Sequence, residues 1–101
     1  MTWEEYSKWV STRMFTDPDK MAMLGPVGLS GEAGEVLELY KKHYFHGKEI
    51  DRTKLLHELG DVVFYLTAIL NMEGWNLELV MRANNIKLEN RDDGRYKADK
   101  P

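Results

Sequence analysis

The feature that most constrains the fold is a long apolar stripe in the second half of the chain. Its members recur at alternating intervals of four and three residues: Leu55, Leu59, Val62, Leu66 and Ile69. This spacing places them on one face of an α-helix and predicts a long, well-buried helix. Gly74 follows as a typical left-handed helix end. No segment alternates apolar and polar residues over the length of a strand, so the fold must be built by packing helices.

The N-terminal segment has its own helix signals. Thr2 and Glu5 have the spacing of a capping box, which predicts a first helix of about three turns. The sequence TDPDK interrupts this pattern, and Asp17 can cap a new segment with Pro18 at its first position.

The middle of the chain predicts a second, longer helix. We expect it to run from about Pro26 to Phe45 and to end at Gly47, with residues 47–53 as the loop to the next helix. Asn76 can cap a fourth helix that carries Leu77 and Val80.

Short links between the predicted helices favour antiparallel neighbours and an all-α fold resembling a four-helix bundle. We expect residues 1–91 to form one domain and residues 92–101 to form a polar C-terminal tail. Because 101 residues offer a thin core for such a bundle, we expect a homodimer or a homotetramer.

Composition excludes several classes of function. The chain has no cysteine, which rules out a disulfide framework and a thiolate zinc site. A formal net charge of −3 does not favour stable nucleic-acid binding. No uninterrupted apolar run approaches the ~20 residues of a membrane span, and the N-terminus lacks a signal-peptide pattern. We therefore expect no membrane partner and a cytoplasmic location.

Four acidic residues form two pairs with helical spacing. Glu32 and Glu35 lie three residues apart in the second helix, and Glu58 and Asp61 lie three apart in the third. Each pair shares a helix face, so antiparallel packing can bring all four together beside the apolar stripe. A divalent cation would offset their repulsion, and ligation by oxygen alone favours Mg²⁺, with Mn²⁺ as a substitute. A solvated acidic surface remains the alternative.

A di-iron site is disfavoured. Di-iron bundles use a histidine three residues after a glutamate, and none of His43, His46 and His57 has that position.

Glycines accompany both acidic pairs. Gly28, Gly31 and Gly34 precede or separate the first pair, and Gly60 separates the second. Since glycine weakens a helix, we expect these residues to let a neighbouring backbone or a substrate approach the acids closely.

Two segments, GEAGEVLE and HELGDVVFYL, together resemble the MazG family of nucleoside triphosphate pyrophosphohydrolases. This family belongs to an all-α superfamily that also contains dimeric dUTPases and phosphoribosyl-ATP pyrophosphohydrolase. Its signature is E-E-x-x-E followed by E-x-x-D. The resemblance implies that Glu32, Glu35, Glu58 and Asp61 are catalytic Mg²⁺ ligands. Gly31 stands where the signature has its first glutamate, which leaves the general base open.

The fourth predicted helix extends the resemblance. The family often has an asparagine shortly before a lysine and an arginine spaced by four, and this chain reads NNIKLENR. The resemblance implies that Lys87 and Arg91 bind substrate phosphates with Asn84 or Asn85 assisting. An ordinary solvated basic surface is the alternative.

The implied activity is Mg²⁺-dependent hydrolysis of a nucleoside triphosphate at the α-phosphorus, which yields the monophosphate and pyrophosphate. Phosphoribosyl-ATP pyrophosphohydrolase or dUTPase activity, or a non-enzymatic helical interaction module, are the alternatives. Five aromatic residues are candidates for the nucleoside surface, although each could instead belong to the core or a subunit interface: Trp3, Tyr6, Trp9, Phe15 and Trp75.

Overall fold

The computed structural model describes residues 1–14 and 17–91, and these form four α-helices without a strand. The helices are α1 (Trp3–Ser11), α2 (Pro18–His46), α3 (Arg52–Glu73) and α4 (Leu77–Glu89). The all-α prediction is therefore confirmed. The predicted tail, residues 92–101, and the aromatic candidate Phe15 lie outside the described residues.

The predicted helix ends agree with the structure in most places. The Thr2 hydroxyl accepts the Glu5 backbone N–H at 3.2 Å, and the Glu5 carboxylate accepts the Thr2 backbone N–H at 3.3 Å. Gly47 and Gly74 end α2 and α3 in the left-handed conformation, with φ of 68° and 72°. The Asn76 side chain accepts the Leu79 backbone N–H at 2.7 Å at the start of α4.

The start of α2 differs from the prediction. The helix begins at Pro18 with Asp17 as its cap and continues through Pro26, instead of beginning there. A proline inside a helix costs about 3 kcal/mol, but the added segment buries Met21 and Gly25. Pro26 lacks the backbone N–H that would donate to the Ala22 carbonyl in a regular helix. Both residues face solvent. Tertiary packing therefore outweighs the local signal.

Helices α2 and α3 are antiparallel and form the main body of the molecule. Gly25 lies against Ile69 and Gly28 lies against Tyr65, so positions that ascend along α2 meet positions that descend along α3. A short connection, residues 47–51, joins the two helices and permits this arrangement.

The best-packed core lies where α1 meets this pair. Val10, Met21 and Ala68 form its buried centre, one residue from each of the three helices. The Asn71 side chain donates to the Ser7 carbonyl at 2.9 Å and ties α3 to α1. Helix α4, in contrast, contributes no fully buried side chain.

Helix α3 is long and apolar. Among the described residues it is the one helix that could cross a membrane by length and composition alone. Glu58 and Asp61 interrupt its apolar sequence, and α1 and α2 pack against it. Charged residues inside a membrane span are rare, and 22% of the apolar window of α3 is buried inside the structure.

Candidate metal centre

Three carboxylates meet between α2 and α3. Each of Glu32, Glu58 and Asp61 offers one oxygen atom, and these atoms all lie within 4.8 Å of one another. Glu32 and Glu58 are half-buried, whereas Asp61 is exposed. The predicted convergence of the two acidic pairs is thus observed for three of the four residues.

Glu35 lies outside this three-carboxylate group. It is exposed on α2, one turn beyond Glu32. Its negative charge nevertheless contributes to raising the pKa of Glu32. Glu35 is therefore part of the electrostatic environment of the group, although its oxygens are not among the three clustered atoms.

The electrostatics show that the acids are crowded. A side-chain hydrogen bond with Glu58 is the largest cause that raises the pKa of Glu32 above its usual value of 4.5. Desolvation is the next cause, followed by the negative charges of Asp61, Glu58 and Glu35. Each of these effects disfavours the ionised form of Glu32, so a bound cation would relieve the repulsion.

The donor set fits a hard divalent cation. All three clustered side chains present carboxylate oxygens, and Mg²⁺ binds through one or two carboxylates together with water and substrate phosphates. Histidine and cysteine, which favour zinc or copper, are absent from this group within the described part of the chain.

Helix α1, which carries three of the aromatic residues predicted as candidates for the nucleoside surface, stands beside the acids. Burial, and then the negative charge of Asp61, raise the pKa of Tyr6. The Trp9 ring lies 5.7 Å from Tyr6 and 5.9 Å from Phe64, and Trp9 remains 42% exposed. The regular spacing of aromatic residues in α1 was visible, but no pattern within α1 could show which part of α3 it would meet.

The glycines divide into two groups. A Cβ atom at Gly28 would overlap the Tyr65 ring, and one at Gly25 would come within 2.8 Å of the Ile69 side chain. Close approach of a neighbouring element is therefore real at these two positions. Gly31, Gly34 and Gly60 have no described neighbour within 4 Å of such an atom.

The predicted phosphate-binding residues lie on or just after α4. Asn84, Asn85 and Lys87 are exposed, and Arg91 is half-buried. Among the interactions within residues 1–14 and 17–91, none joins Asn84, Asn85 or Lys87 to the three carboxylates by a hydrogen bond or an ion pair. Within the described part of the chain, Asn84, Asn85 and Lys87 are thus not bonded to the acids.

Comparison with known proteins identifies the family. The model of the MazG nucleotide pyrophosphohydrolase domain matches residues 26–96, which is more than half of the chain. Searches of curated proteins and of solved structures gave no significant match. The matched region contains the three clustered carboxylates and all of α3 and α4. The chain therefore belongs to the MazG nucleotide pyrophosphohydrolase family.

Proposed function

We propose that this protein is a Mg²⁺-dependent hydrolase that cleaves a nucleoside triphosphate to the monophosphate and pyrophosphate. The observation that carries the proposal is the group of three carboxylates, Glu32, Glu58 and Asp61, whose oxygens lie within 4.8 Å of one another. The MazG family is generally dependent on divalent cations. The site and the family therefore support the same chemistry.

In this proposal, Glu32, Glu58 and Asp61 hold the metal, and Glu35 adds negative charge at the edge of the site. Bound Mg²⁺ would supply a Lewis acid for the phosphate oxygens and lower the pKa of a coordinated water. The carboxylates of this chain fix the position of the reacting phosphate relative to α2 and α3. Lys87 and Arg91, with Asn84 or Asn85, remain the proposed phosphate contacts on the α4 side.

The aromatic residues of α1 offer a surface for the base. Trp9 is partly exposed, with its ring tilted against Tyr6 and edge-to-face with Phe64, and the negative charge of Asp61 contributes to raising the pKa of Tyr6. Bases stack favourably on aromatic rings. We propose that the nucleoside lies on this side of the acids. Trp75 follows the C-terminal end of α3 and is absent from the ring contacts observed among the described residues.

A second copy of the chain completes the molecule in this proposal. The accessible surface is 8195 Å², whereas a compact monomer of this mass exposes about 5,900 Å². The difference of about 2,300 Å² is larger than the ~800 Å² that one partner buries in a standard interface.

Exposed apolar residues on α2 and α3 support the proposal of a second copy and are the surfaces on which we propose that it packs. Val27 and Leu37 on α2 are 58% and 64% exposed, and Leu56 on α3 is 69% exposed. Helix α4 has 13 residues, a length that is marginal for an isolated helix in water. A homodimer or homotetramer would cover these surfaces. Sedimentation velocity should give a mass of at least two chains, and a monomer at micromolar concentration would contradict the proposal.

Turnover of a substrate panel tests the proposed activity. The protein is incubated with Mg²⁺ and canonical or modified nucleoside triphosphates, including dUTP, and pyrophosphate and monophosphate are measured. We expect equal amounts of the two products for at least one substrate, loss of turnover with a chelator, and loss in Glu58→Gln. Absence of turnover on every substrate, or full activity of Glu58→Gln, would contradict the proposal.

A further inference from the structure

Helix α3 has two apolar stripes on different faces. The first contains Leu55, Val62 and Ile69 at intervals of seven residues. It faces α2, since Ile69 lies against Gly25. The second, which we call the outer stripe, lies roughly a quarter turn around the helix from the first and consists of Arg52, Leu56, Leu59 and Val63. Contact with α2 therefore accounts for the first stripe and not for the outer stripe.

The outer stripe is uncovered in the single chain. Leu56 is 69% exposed, and Leu59 and Val63 are each 45% exposed. Helix α1 packs on a different face of α3, where its Trp9 ring meets Phe64. A groove beside the outer stripe is lined mainly by leucine side chains. Since contiguous exposed apolar surface commonly marks an interaction site, the outer stripe is a candidate contact surface.

The spacing of the outer stripe fits a second copy of the same helix. Its four members are separated by four, three and four residues, as in helices that pack along one another with interlocking side chains. This order reads the same in both directions. An antiparallel second copy of α3 therefore presents matching positions along the whole outer stripe, and such a contact is self-complementary about a twofold axis.

The charge of Arg52 favours the antiparallel direction. Arg52 is the single charged residue of the outer stripe. In a parallel contact the two copies of this side chain would lie side by side and repel each other. In the antiparallel contact they are separated by about 16 Å along the helix. Each arginine stem can then cover Val63 of the partner subunit while its guanidinium group stays in water.

Gly60 and the exposed surface agree with a partner helix at this position. Gly60 borders the outer stripe, four residues after Leu56 and three before Val63. It weakens the helix, yet a Cβ atom there would meet no described neighbour within 4 Å. The missing side chain leaves room for another helix to approach. The surface that the chain exposes beyond that of a compact monomer is also larger than one side of a standard interface.

We infer that two copies of the chain associate through the outer stripe, with α3 antiparallel to α3 and a twofold axis that passes between Leu56 and Leu59. Leu56 packs against Leu59 of the partner subunit. Glu58 lies at the level of the axis, so the contact supports the part of α3 that carries Glu58 and Asp61. The inference rests on the second copy in the proposed function and does not depend on hydrolysis.

Covalent linkage tests this contact directly, because the chain has no cysteine. A double variant with Arg52→Cys and Val63→Cys is oxidised, and the linked peptides are identified by mass spectrometry. We expect a disulfide-bonded dimer that joins residue 52 of one chain to residue 63 of the other. The two positions lie about 16 Å apart within one α3, too far to pair with each other. Val63→Cys alone should give no linked dimer, because the antiparallel contact keeps the two copies of residue 63 apart.

Two charge substitutions in the double-cysteine protein provide the matched comparison. Leu56→Glu places a carboxylate of each chain in the contact and should abolish the linkage. Without the cysteines, the same substitution should weaken association by about 100-fold or more in sedimentation, since both carboxylates would lose water. Leu37→Glu is the control and should link as its parent does. Leu37 is 64% exposed but lies on the face of α2 turned away from α3, five residues after Glu32.

Three results would overturn the inference: no linkage in the double-cysteine protein, linkage in Val63→Cys alone, or an equal loss of linkage in Leu56→Glu and Leu37→Glu. Circular dichroism of each variant checks that helix content is unchanged.

Failure of this inference can be distinguished from failure of the proposed function. A wild type that sediments as a dimer, combined with an unlinked double-cysteine protein, rejects the α3 contact alone. A monomeric wild type rejects the contact together with the proposed second copy. Turnover on the substrate panel is measured separately, and its absence rejects the proposed hydrolysis.

Discussion

The two halves of the α2–α3 pair use the same helices for different purposes. In the half next to α1, Gly25 and Gly28 allow Ile69 and Tyr65 to pack against the backbone of α2. In the half next to the connection, Gly31 and Gly34 meet no described neighbour, and three carboxylates lie between the helices beside the buried Leu39 and Leu55. Glycine thus permits close helix packing in the half of the α2–α3 pair next to α1, but it has no such role in the half next to the connection.

This difference shows how stability and the candidate site are distributed. The half next to α1 contains the buried cluster of Val10, Met21 and Ala68. The other half holds three carboxylates that repel one another, together with exposed aromatic residues near the end of α2, Tyr44 and Phe45. Functional sites commonly reduce stability and depend on a rigid scaffold nearby. We expect substitutions in the first half to change unfolding and those in the second half to change activity.

The largest expected effect concerns the acids themselves. Asp61→Asn should lower kcat/KM by about 100-fold or more, because it removes a charge from the clustered oxygens that would hold the metal. Glu35→Gln, which alters a residue outside the group, should lower it by less than about tenfold. Steady-state kinetics over a range of Mg²⁺ concentrations measures both. An equal loss in the two variants would show that Glu35 is also a ligand when substrate is bound.

The next effect concerns packing in the half near α1. Gly28→Ala should lower the free energy of unfolding by about 1–3 kcal/mol, because the new methyl group would overlap the Tyr65 ring. Urea denaturation followed by circular dichroism measures the change. A variant as stable as the wild type would mean that Tyr65 moves aside at no cost.

Gly34→Ala is the matched substitution in the other half. A Cβ atom at residue 34 meets nothing within 4 Å, and alanine favours a helix over glycine by about 0.8–1 kcal/mol. We therefore expect the unfolding free energy to rise by about 0.5–1 kcal/mol. If Gly34→Ala instead lowers stability in the assembled protein, a second copy approaches α2 at this position, and sedimentation of the variant would detect the lost association.

The smallest effect concerns the pH dependence of stability. Because the pKa of Glu32 is raised in the folded protein from 4.5, the folded state binds this proton more tightly than the unfolded state. Stability without metal therefore falls as the pH rises from below 4.5 through the folded pKa. Glu32→Gln should raise the metal-free Tm at pH 7 by about 1–2 °C, and the difference should disappear near pH 4.

Magnesium should reverse the order of thermal stability of the wild type and Glu32→Gln. At neutral pH the wild type should gain stability on addition of Mg²⁺, whereas Glu32→Gln should gain less because it lacks one clustered carboxylate. Thermal scans with and without Mg²⁺ make the comparison. A larger gain in the variant would contradict the assignment of Glu32 as a ligand.

Local signals predicted several parts of this fold and site. The Thr2 capping box, the cap at Asn76 and the left-handed Gly47 and Gly74 depend only on nearby residues, and each is confirmed. The start of α2 could not be predicted in this way. The signal at Pro26 is local, whereas the packing of Met21 against Val10 and Ala68 depends on distant parts of the chain.

The sequence by itself determined the all-α class and the spacing that puts Glu58 and Asp61 on one face of α3, because helical periodicity and capping act within a few residues. Only the tertiary structure decided that Glu32 joins them while Glu35 does not, and that Tyr6 lies near Asp61. These relations depend on the rotation and depth at which helices pack, which the close contacts of Gly25 and Gly28 with α3 set at a distance from the acids. A pattern along one helix contains no information about that rotation.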